Sequence, residues 1–214
     1  MKKLKTSIIP IIFLLFFYAH ELFALDKLGI YTGTFDPPHM AHQAIVDTIL
    51  LNDLVDEIYV VPDDKTPFKP NKSSIDHRMN MVKILFKDNK KVKFLTEVMQ
   101  NEIKSGEMWN VMETIRKYNP KKTISIVMGA DVFAKYTKFH SSFSDKNFSL
   151  IIVKRGDEVK IPSNFEGQTI KQIVLNLDDV SSTKIRDEIK NGEKPKEINV
   201  KVFDYIIENN LYLK

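Results

Sequence analysis

The chain opens with a short basic segment, MKKLKTS, and an apolar run, IIPIIFLLFFY, over residues 8–18. Beyond them, compact apolar runs alternate with segments whose apolar positions recur every three or four residues. The runs are KLGIYTG, with its core at Leu28–Thr32, EIYVVP at Glu57–Pro62, VKFL at Val92–Leu95, TISIVMGAD at Thr123–Asp131, FSLIIVKRG at Phe148–Gly156 and IKQIVLNL at Ile170–Leu177. Each reads as a buried strand. The helix-period segments are MAHQAIVDTILLN at Met40–Asn52, IDHRMNMVKILFKD at Ile75–Asp88, MWNVMETIRKY at Met108–Tyr118, SSTKIRDEIKNG at Ser181–Gly192 and NVKVFDYIIENN at Asn199–Asn210. Ser73 or Ser74 can cap the second of these, Asn119-Pro120 closes the third, and Gly192 stands where a helix end takes a left-handed residue.

Strands separated by helices predict parallel βαβ units with right-handed crossovers. No internal repeat and no Gly/Ser-rich linker divides them. The expectation is one α/β domain over residues 25–214, a Rossmann-like open parallel sheet with helices on both faces. A chain of 214 residues, 43% hydrophobic, can bury one good core.

The first 24 residues have the layout of a secretory signal peptide: basic start, apolar run, small residue at Ala24. The run is shorter than the roughly 20 apolar residues of a membrane span. Cleaved export, an uncleaved anchor with residues 8–18 touching a membrane, and a misplaced start codon all remain open. Composition narrows the chemistry. With no cysteine, disulfides, thiolate catalysis and cysteine-based zinc sites are excluded. The net charge of +4 is small. Lys2, Lys3 and Lys5 supply part of it, and no basic run is interleaved with aromatics. A nucleic-acid partner is therefore not expected. His20, His77 and His140 lack metal-ligand spacing, so no metal is assigned to protein side chains.

One stretch carries more than pattern: GIYTGTFDPPHMAH, Gly29 to His42. In open α/β sheets ligands sit beyond the carboxyl ends of the strands, where a strand turns into its helix. Gly33 permits a tight bend and a close approach of backbone to ligand. Pro37 and Pro38 stiffen the loop. His39 and His42, spaced i, i+3 at the helix start, share one face. The helix N-terminus adds partial positive charge and free N–H groups. Together these parts suit a polyphosphate.

The segment GTFDPPHMAH resembles the GTFDP-x-H-x-G-H signature of the nucleotidyltransferase superfamily, in the DPPH form typical of nicotinate-nucleotide adenylyltransferases. VSSTKIRDEIKNG, Val180 to Gly192, is similar to that family's I-S-S-T-x-I-R motif. Between them VMGADVF resembles its G-x-D segment. VPDDKTPFKP and DHRMNMVKI resemble its phosphate-side loop and the following helix, and the ending VFDYIIENNLYLK looks like its C-terminus. The likeness covers roughly Leu28 to Lys214.

The resemblance implies transfer of AMP from ATP to nicotinate or nicotinamide mononucleotide, with pyrophosphate leaving. It implies catalytic roles for His39, His42 and Arg186. His42 would donate to the α-phosphate, and His39 would hold the neighbouring phosphates. Gly33, Thr34, Phe35, Lys69, Gly129, Asp131, Ser181, Ser182 and Thr183 would bind ATP, the last three by capping a helix that starts near Lys184. Trp109, Asn110, Phe139 and His140 would bind the acceptor. Mg²⁺ is expected through the ATP phosphates, with no dedicated protein cage. The partners implied are ATP and a pyridine mononucleotide. The resembling family is often dimeric or larger, which leaves a homo-oligomer open; the sequence itself does not show the oligomeric state.

The sequence departs from the family pattern at Thr32, Ala41 and Phe68. MWN, Met108 to Asn110, stands for Ser-Tyr-Thr, and Phe139 stands for a tryptophan. The changes at Met108–Asn110 and Phe139 lie on the acceptor side and leave the acceptor open, whereas Thr32 and Ala41 are small enough for the backbone path to survive. A nucleotidyltransferase with another phosphate acceptor, or an exported nucleotide-binding protein without turnover, are the alternatives. The leader points to export or anchoring, and the chemistry points to the cytoplasm.

Overall fold

The computed structural model describes residues 26–63, 72–103, 108–136, 147–154, 159–175 and 180–213. The leader expected at 1–24 lies outside them. Six parallel strands form one sheet in the order β3-β2-β1-β4-β5-β6. They are β1 (Lys27–Gly33), β2 (Glu57–Pro62), β3 (Val92–Lys93), β4 (Thr123–Gly129), β5 (Phe148–Lys154) and β6 (Ile170–Val174). The helices are α1 (Met40–Leu51), α2 (Ile75–Leu85), α3 (Glu97–Glu102), α4 (Met108–Tyr118), α5 (Ala130–Tyr136), α6 (Ser182–Lys190) and α7 (Val200–Glu208).

Both faces of the sheet are covered, which is why the strands read as nearly continuous apolar runs. Alternate residues go to opposite sides. Tyr31, Ile58, Val60, Val127, Ile151 and Val153 pack on the face of α1, α2, α6 and α7. Leu28, Ile30, Val61, Ile126, Leu150 and Ile152 pack on the face of α4 and α5. On β1 a Cβ at Gly29 would stand 3.0 Å from Ile58 and 3.2 Å from Val55, so this glycine lets the α1 side close down on the sheet.

The parallel α/β domain agrees with the sequence expectation, while α5, α3 and β3 differ from it. The run expected to continue as strand to Asp131 stops at Gly129, and α5 begins at Ala130. The apolar string VMGADVF has no polar face to announce a helix. Helix α3 was not expected: six residues are too few for a period, although Thr96 caps it by accepting the Met99 amide at 3.3 Å. Strand β3 keeps only two of the four residues expected, because it pairs with β2 alone at the sheet edge.

In this strand order the chain winds outward in both directions from β1 and β4. Their carboxyl ends border the switch point where open α/β sheets hold ligands. The loop 34–39 leaves β1 there, and Gly129–Ala130 leaves β4 there.

Candidate active site

The first loop is shaped by one inward-turned aromatic. Phe35 has φ +50° and is 1% exposed. Its ring meets Tyr31 edge-on at 5.3 Å and His42 at 4.8 Å. A Cβ at Gly33 would come within 3.1 Å of that ring, so glycine is what lets Phe35 fold back under His42. Burial pushes the Tyr31 hydroxyl far above its usual range, so it stays protonated.

His39 is the N-cap of α1 and is 5% exposed. Its amide donates to His42 Nδ1 at 3.1 Å, and the two rings stack with centroids 3.8 Å apart. This N-cap departs from the usual Ser, Thr, Asp or Asn preference. The chain spends an imidazole where a short polar side chain would serve a cap alone.

The second motif arrives from across the sequence. Ser181 caps α6 by accepting the Lys184 amide at 3.2 Å. The helix begins at Ser182, two residues before the start expected from sequence. Ser182 Oγ donates to the Pro37 carbonyl at 3.0 Å. Arg186 Nη1 donates to the Asp36 carbonyl at 2.7 Å, and Nη2 donates to Thr183 Oγ1 at 3.2 Å. The N-terminus of α6 is thus tied to the loop before α1.

Between these two helix starts lies a cavity of about 600 Å³. His39, His42, Gly129, Asp131, Ser181, Ser182 and Thr183 line it. Two helix N-termini, α1 and α6, border this space with their amides and positive dipole ends. Gly33, Thr34 and Phe35 do not line it; Phe35, with Gly33 against its ring, packs behind His42. Arg186 stands beside the cavity with its guanidinium on the loop backbone. Lys69, Phe139 and His140 lie outside the described residues.

Trp109 and Asn110 occupy the first turn of α4. Trp109 packs edge-on against Phe148 at 5.7 Å, and the Asn110 carbonyl accepts Thr114 Oγ1 at 2.8 Å. Neither lines the cavity. The helix start is nonetheless close to the end of β1, because the Thr32 hydroxyl donates to the Met108 sulfur. Two positions that depart from the family pattern therefore touch each other.

Two functional candidates were not visible in the motifs. Lys154 ends β5, is 5% exposed and lines the same cavity. Its only signal is a charge closing a buried strand at the carboxyl edge. Arg78 is 1% exposed and donates to the carbonyls of Thr34 at 2.9 Å, Asp63 at 2.7 Å and Ser73 at 3.0 Å. Its signal was available: Arg78 falls on the apolar stripe with Met81, Val82 and Leu85, where an arginine must be buried and partnered.

Among the described residues, no three His, Asp or Glu side chains cluster in a way that could hold a metal ion. Among them too, no helix is long and apolar enough to cross a membrane.

The profile of the cytidylyltransferase-like family matches residues 30–188. The nicotinate-nucleotide adenylyltransferase of Bacillus subtilis is 30% identical over 194 residues, spanning 88% of this chain and 99% of that protein. A probable nicotinate-nucleotide adenylyltransferase of Sulfurimonas denitrificans is 29% identical over 191 residues, 87% of this chain and 98% of its own. Nicotinic acid mononucleotide adenylyltransferase of Plasmodium falciparum, solved with NaAD, superposes with a TM-score of 0.65 at 23% identity. It covers 87% of this chain and 97% of its own, and shows a common fold. With a family profile over most of its length and a relative matched almost end to end, the chain belongs to the nicotinate-nucleotide adenylyltransferases of the cytidylyltransferase-like family.

Proposed function

We propose that this chain transfers AMP from ATP to nicotinate mononucleotide, releasing pyrophosphate and forming deamido-NAD. The observation that carries this reading is the junction of two distant motifs. Ser182 and Arg186 bond to the carbonyls of Pro37 and Asp36, which sets the α6 amides and the two histidines around one cavity.

In this reading a mononucleotide phosphate oxygen attacks the α-phosphorus of ATP. The new P–O bond forms as the bond to the β-phosphate oxygen breaks, and pyrophosphate carries away the electron pair. Such transfers depend on positioning and charge stabilisation, with no covalent enzyme intermediate. His42 accepts the His39 amide on Nδ1, so its neutral ring carries the proton on Nε2 and donates from there to the α-phosphate. A donor that tightens as charge develops raises the rate rather than only the affinity. His39 holds the neighbouring phosphates. The amides of Ser182 and Thr183 face the β- and γ-phosphates, with Arg186 and Lys154 supplying positive charge. Lys69 belongs to the same group. Gly129 and Asp131, where β4 turns into α5, meet the ribose.

The cavity lining carries a single carboxylate among the described residues, Asp131, a donor set too small to hold a metal by itself. It fits Mg²⁺ that enters on the triphosphate, since Mg²⁺ is commonly bound by one or two carboxylates plus substrate phosphates. When bound, the ion would supply charge neutralisation on the triphosphate. Trp109 and Asn110, with Phe139 and His140, are assigned to the acceptor side. Residues 25–214 form the catalytic domain, and 1–24 a leader.

The test is pyrophosphate release by the leaderless protein with ATP and nicotinate mononucleotide, nicotinamide mononucleotide or phosphopantetheine. Turnover greatest with nicotinate mononucleotide is expected. Turnover with phosphopantetheine alone would move the chain to another acceptor. ATP binding without product from any of the three would make it a binding protein.

A further inference from the structure

Four separate stretches of chain meet at one residue, Asp36. Asp36 is 4% exposed. Its Oδ1 and Oδ2 accept the Ser73 amide at 3.3 and 3.4 Å, and Oδ1 also accepts the Ser73 hydroxyl. The Tyr212 hydroxyl donates to the same Oδ1 at 2.6 Å and stands 3.3 Å from Ser73 Oγ. On its backbone side Asp36 carries the Arg186 guanidinium at 2.7 Å.

The phosphate loop, α6 and the approach to α2 account for three of these stretches. Tyr212 comes from the fourth, the last few residues of the chain. Beyond α7 the backbone enters the left-handed region at Asn210, φ +53°, and again at Tyr212, φ +63°. A bulky aromatic takes that conformation only where its surroundings hold it there. The two turns swing the phenol inward, onto the loop that precedes His39. Burial, then the Asp36 charge and the bond to it, push the Tyr212 hydroxyl far above its usual range. It is therefore a permanent donor. Tyr212 bonds one carboxylate oxygen and Ser73 bonds both, so the Asp36 side chain is tied to two other stretches while its peptide carbonyl receives Arg186.

We propose that Tyr212 is a positioning residue of the phosphate site: through Asp36 it sets the Arg186 guanidinium and the loop leading to the His39–His42 pair. The C-terminal segment is then part of the active-site framework rather than trailing chain. The kinetic consequence rests on the proposed adenylyl transfer, whereas the tether itself does not.

The experiment compares Tyr212→Phe, which removes only the hydroxyl, with Tyr205→Phe in the full chain. Tyr205 is the control because its hydroxyl also ties the C-terminal region to α2, through His77 Nδ1 at 2.9 Å and Asn80 at 3.1 Å. In Tyr212→Phe the affinity for α,β-methylene-ATP and kcat should each fall about 10-fold, with the mononucleotide KM unchanged, because small misplacements of a phosphate ligand cost this much or more. Tyr205→Phe should stay within about 2-fold. In an Arg186→Lys background the Tyr212→Phe effect should shrink, as expected for residues acting as one unit. Equal behaviour of the two tyrosine variants, or full additivity with Arg186→Lys, would overturn the proposal. The Arg186 Nε–H resonance of the ligand-free protein separates the two readings. It should shift in Tyr212→Phe and not in Tyr205→Phe. If the wild type makes no product, the transferase reading fails, while an unshifted Arg186 signal overturns the tether independently. Should Tyr212→Phe not fold, Asp36→Asn weakens the same bond by removing its charge and must shift the same resonance.

Discussion

The backbone N–H of His39 donates to Nδ1 of His42 at 3.1 Å, so one histidine of the motif fixes the tautomer of the other. An acceptor at Nδ1 leaves the proton of the neutral ring on Nε2. The ring is then held between His39, stacked at 3.8 Å, and Phe35, edge-on at 4.8 Å. A group locked in both tautomer and orientation costs no reorganisation when charge builds on a phosphate, which is the condition for strong transition-state stabilisation. His42→Ala should lower kcat about 100-fold with little change in the KM for ATP. Steady-state pyrophosphate release measures this. A proportional rise in KM with kcat intact would assign His42 to binding alone.

Gly33 and Phe35 extend the same relationship one layer back. A methyl at position 33 would stand 3.1 Å from the Phe35 ring, which is 1% exposed and already packed on Tyr31 and His42. Overpacking of this kind costs about 1–3 kcal/mol. The ring displaced is the one beneath His42. Gly33→Ala should therefore reduce kcat by about 10-fold while lowering Tm by only a few degrees. Thermal unfolding and turnover on the same sample check the pairing. A loss of Tm with unchanged kcat would detach Phe35 from the placement of His42.

How much of this could be read beforehand divides along physical lines. The parallel sheet was legible because both faces are buried and the strands are runs such as LGIYTG and SLIIVK. The His39–His42 pair was legible because spacing at a helix start fixes a shared face. The α5 start was not, since the capping-type side chain there, Asp131, falls inside the first turn, after the helix has begun at Ala130. The depth of Phe35 was not legible either, because it depends on a positive φ that sequence does not print. Tyr212 lies 176 positions from Asp36, and no local rule connects a C-terminal tyrosine to an N-terminal loop. Arg78 was within reach, had its place on the apolar stripe of α2 been weighed against its charge.

Arg78 also makes a stability prediction distinct from its neighbours. Its guanidinium supplies donors to three carbonyls, Thr34, Asp63 and Ser73, that sit at the ends of β1 and β2 and before α2. Arg78→Met keeps the length and apolar stem but leaves carbonyls without those donors, at about 1–3 kcal/mol for each that finds no substitute. A loss of about 3 kcal/mol is expected by chemical denaturation, with ATP affinity falling alongside because Thr34 opens the loop that leads from β1 to His39. Unchanged stability would mean that water replaces the guanidinium and that the loop does not depend on it.

The opposite end of the sheet offers a pH test free of the active site. Glu57 at the start of β2 receives Lys122 Nζ at 2.6 Å and Lys93 Nζ at 2.9 Å. The bond from Lys122, and then that from Lys93, hold its carboxyl below the usual value of 4.5. The bond to Glu57 in turn raises Lys122 above its usual 10.5. A carboxyl lowered on folding contributes stability that is present above its unfolded value and is lost as pH falls through its folded one. An ammonium raised on folding contributes stability that is present below its unfolded value and is lost as pH rises through its folded one. The network therefore stabilises between the two and fades at both extremes. Because the side chains are 32%, 22% and 38% exposed, solvent screening limits the gain to about 0.5–1 kcal/mol. Glu57→Gln should lower Tm by about 1–3 °C at pH 7. The difference from wild type should shrink as pH drops below the ordinary carboxylate value, and shrink again at strongly alkaline pH. A Tm gap that stays constant from pH 3 to pH 7 would show that Glu57 acts through packing at the sheet end and not through its charge.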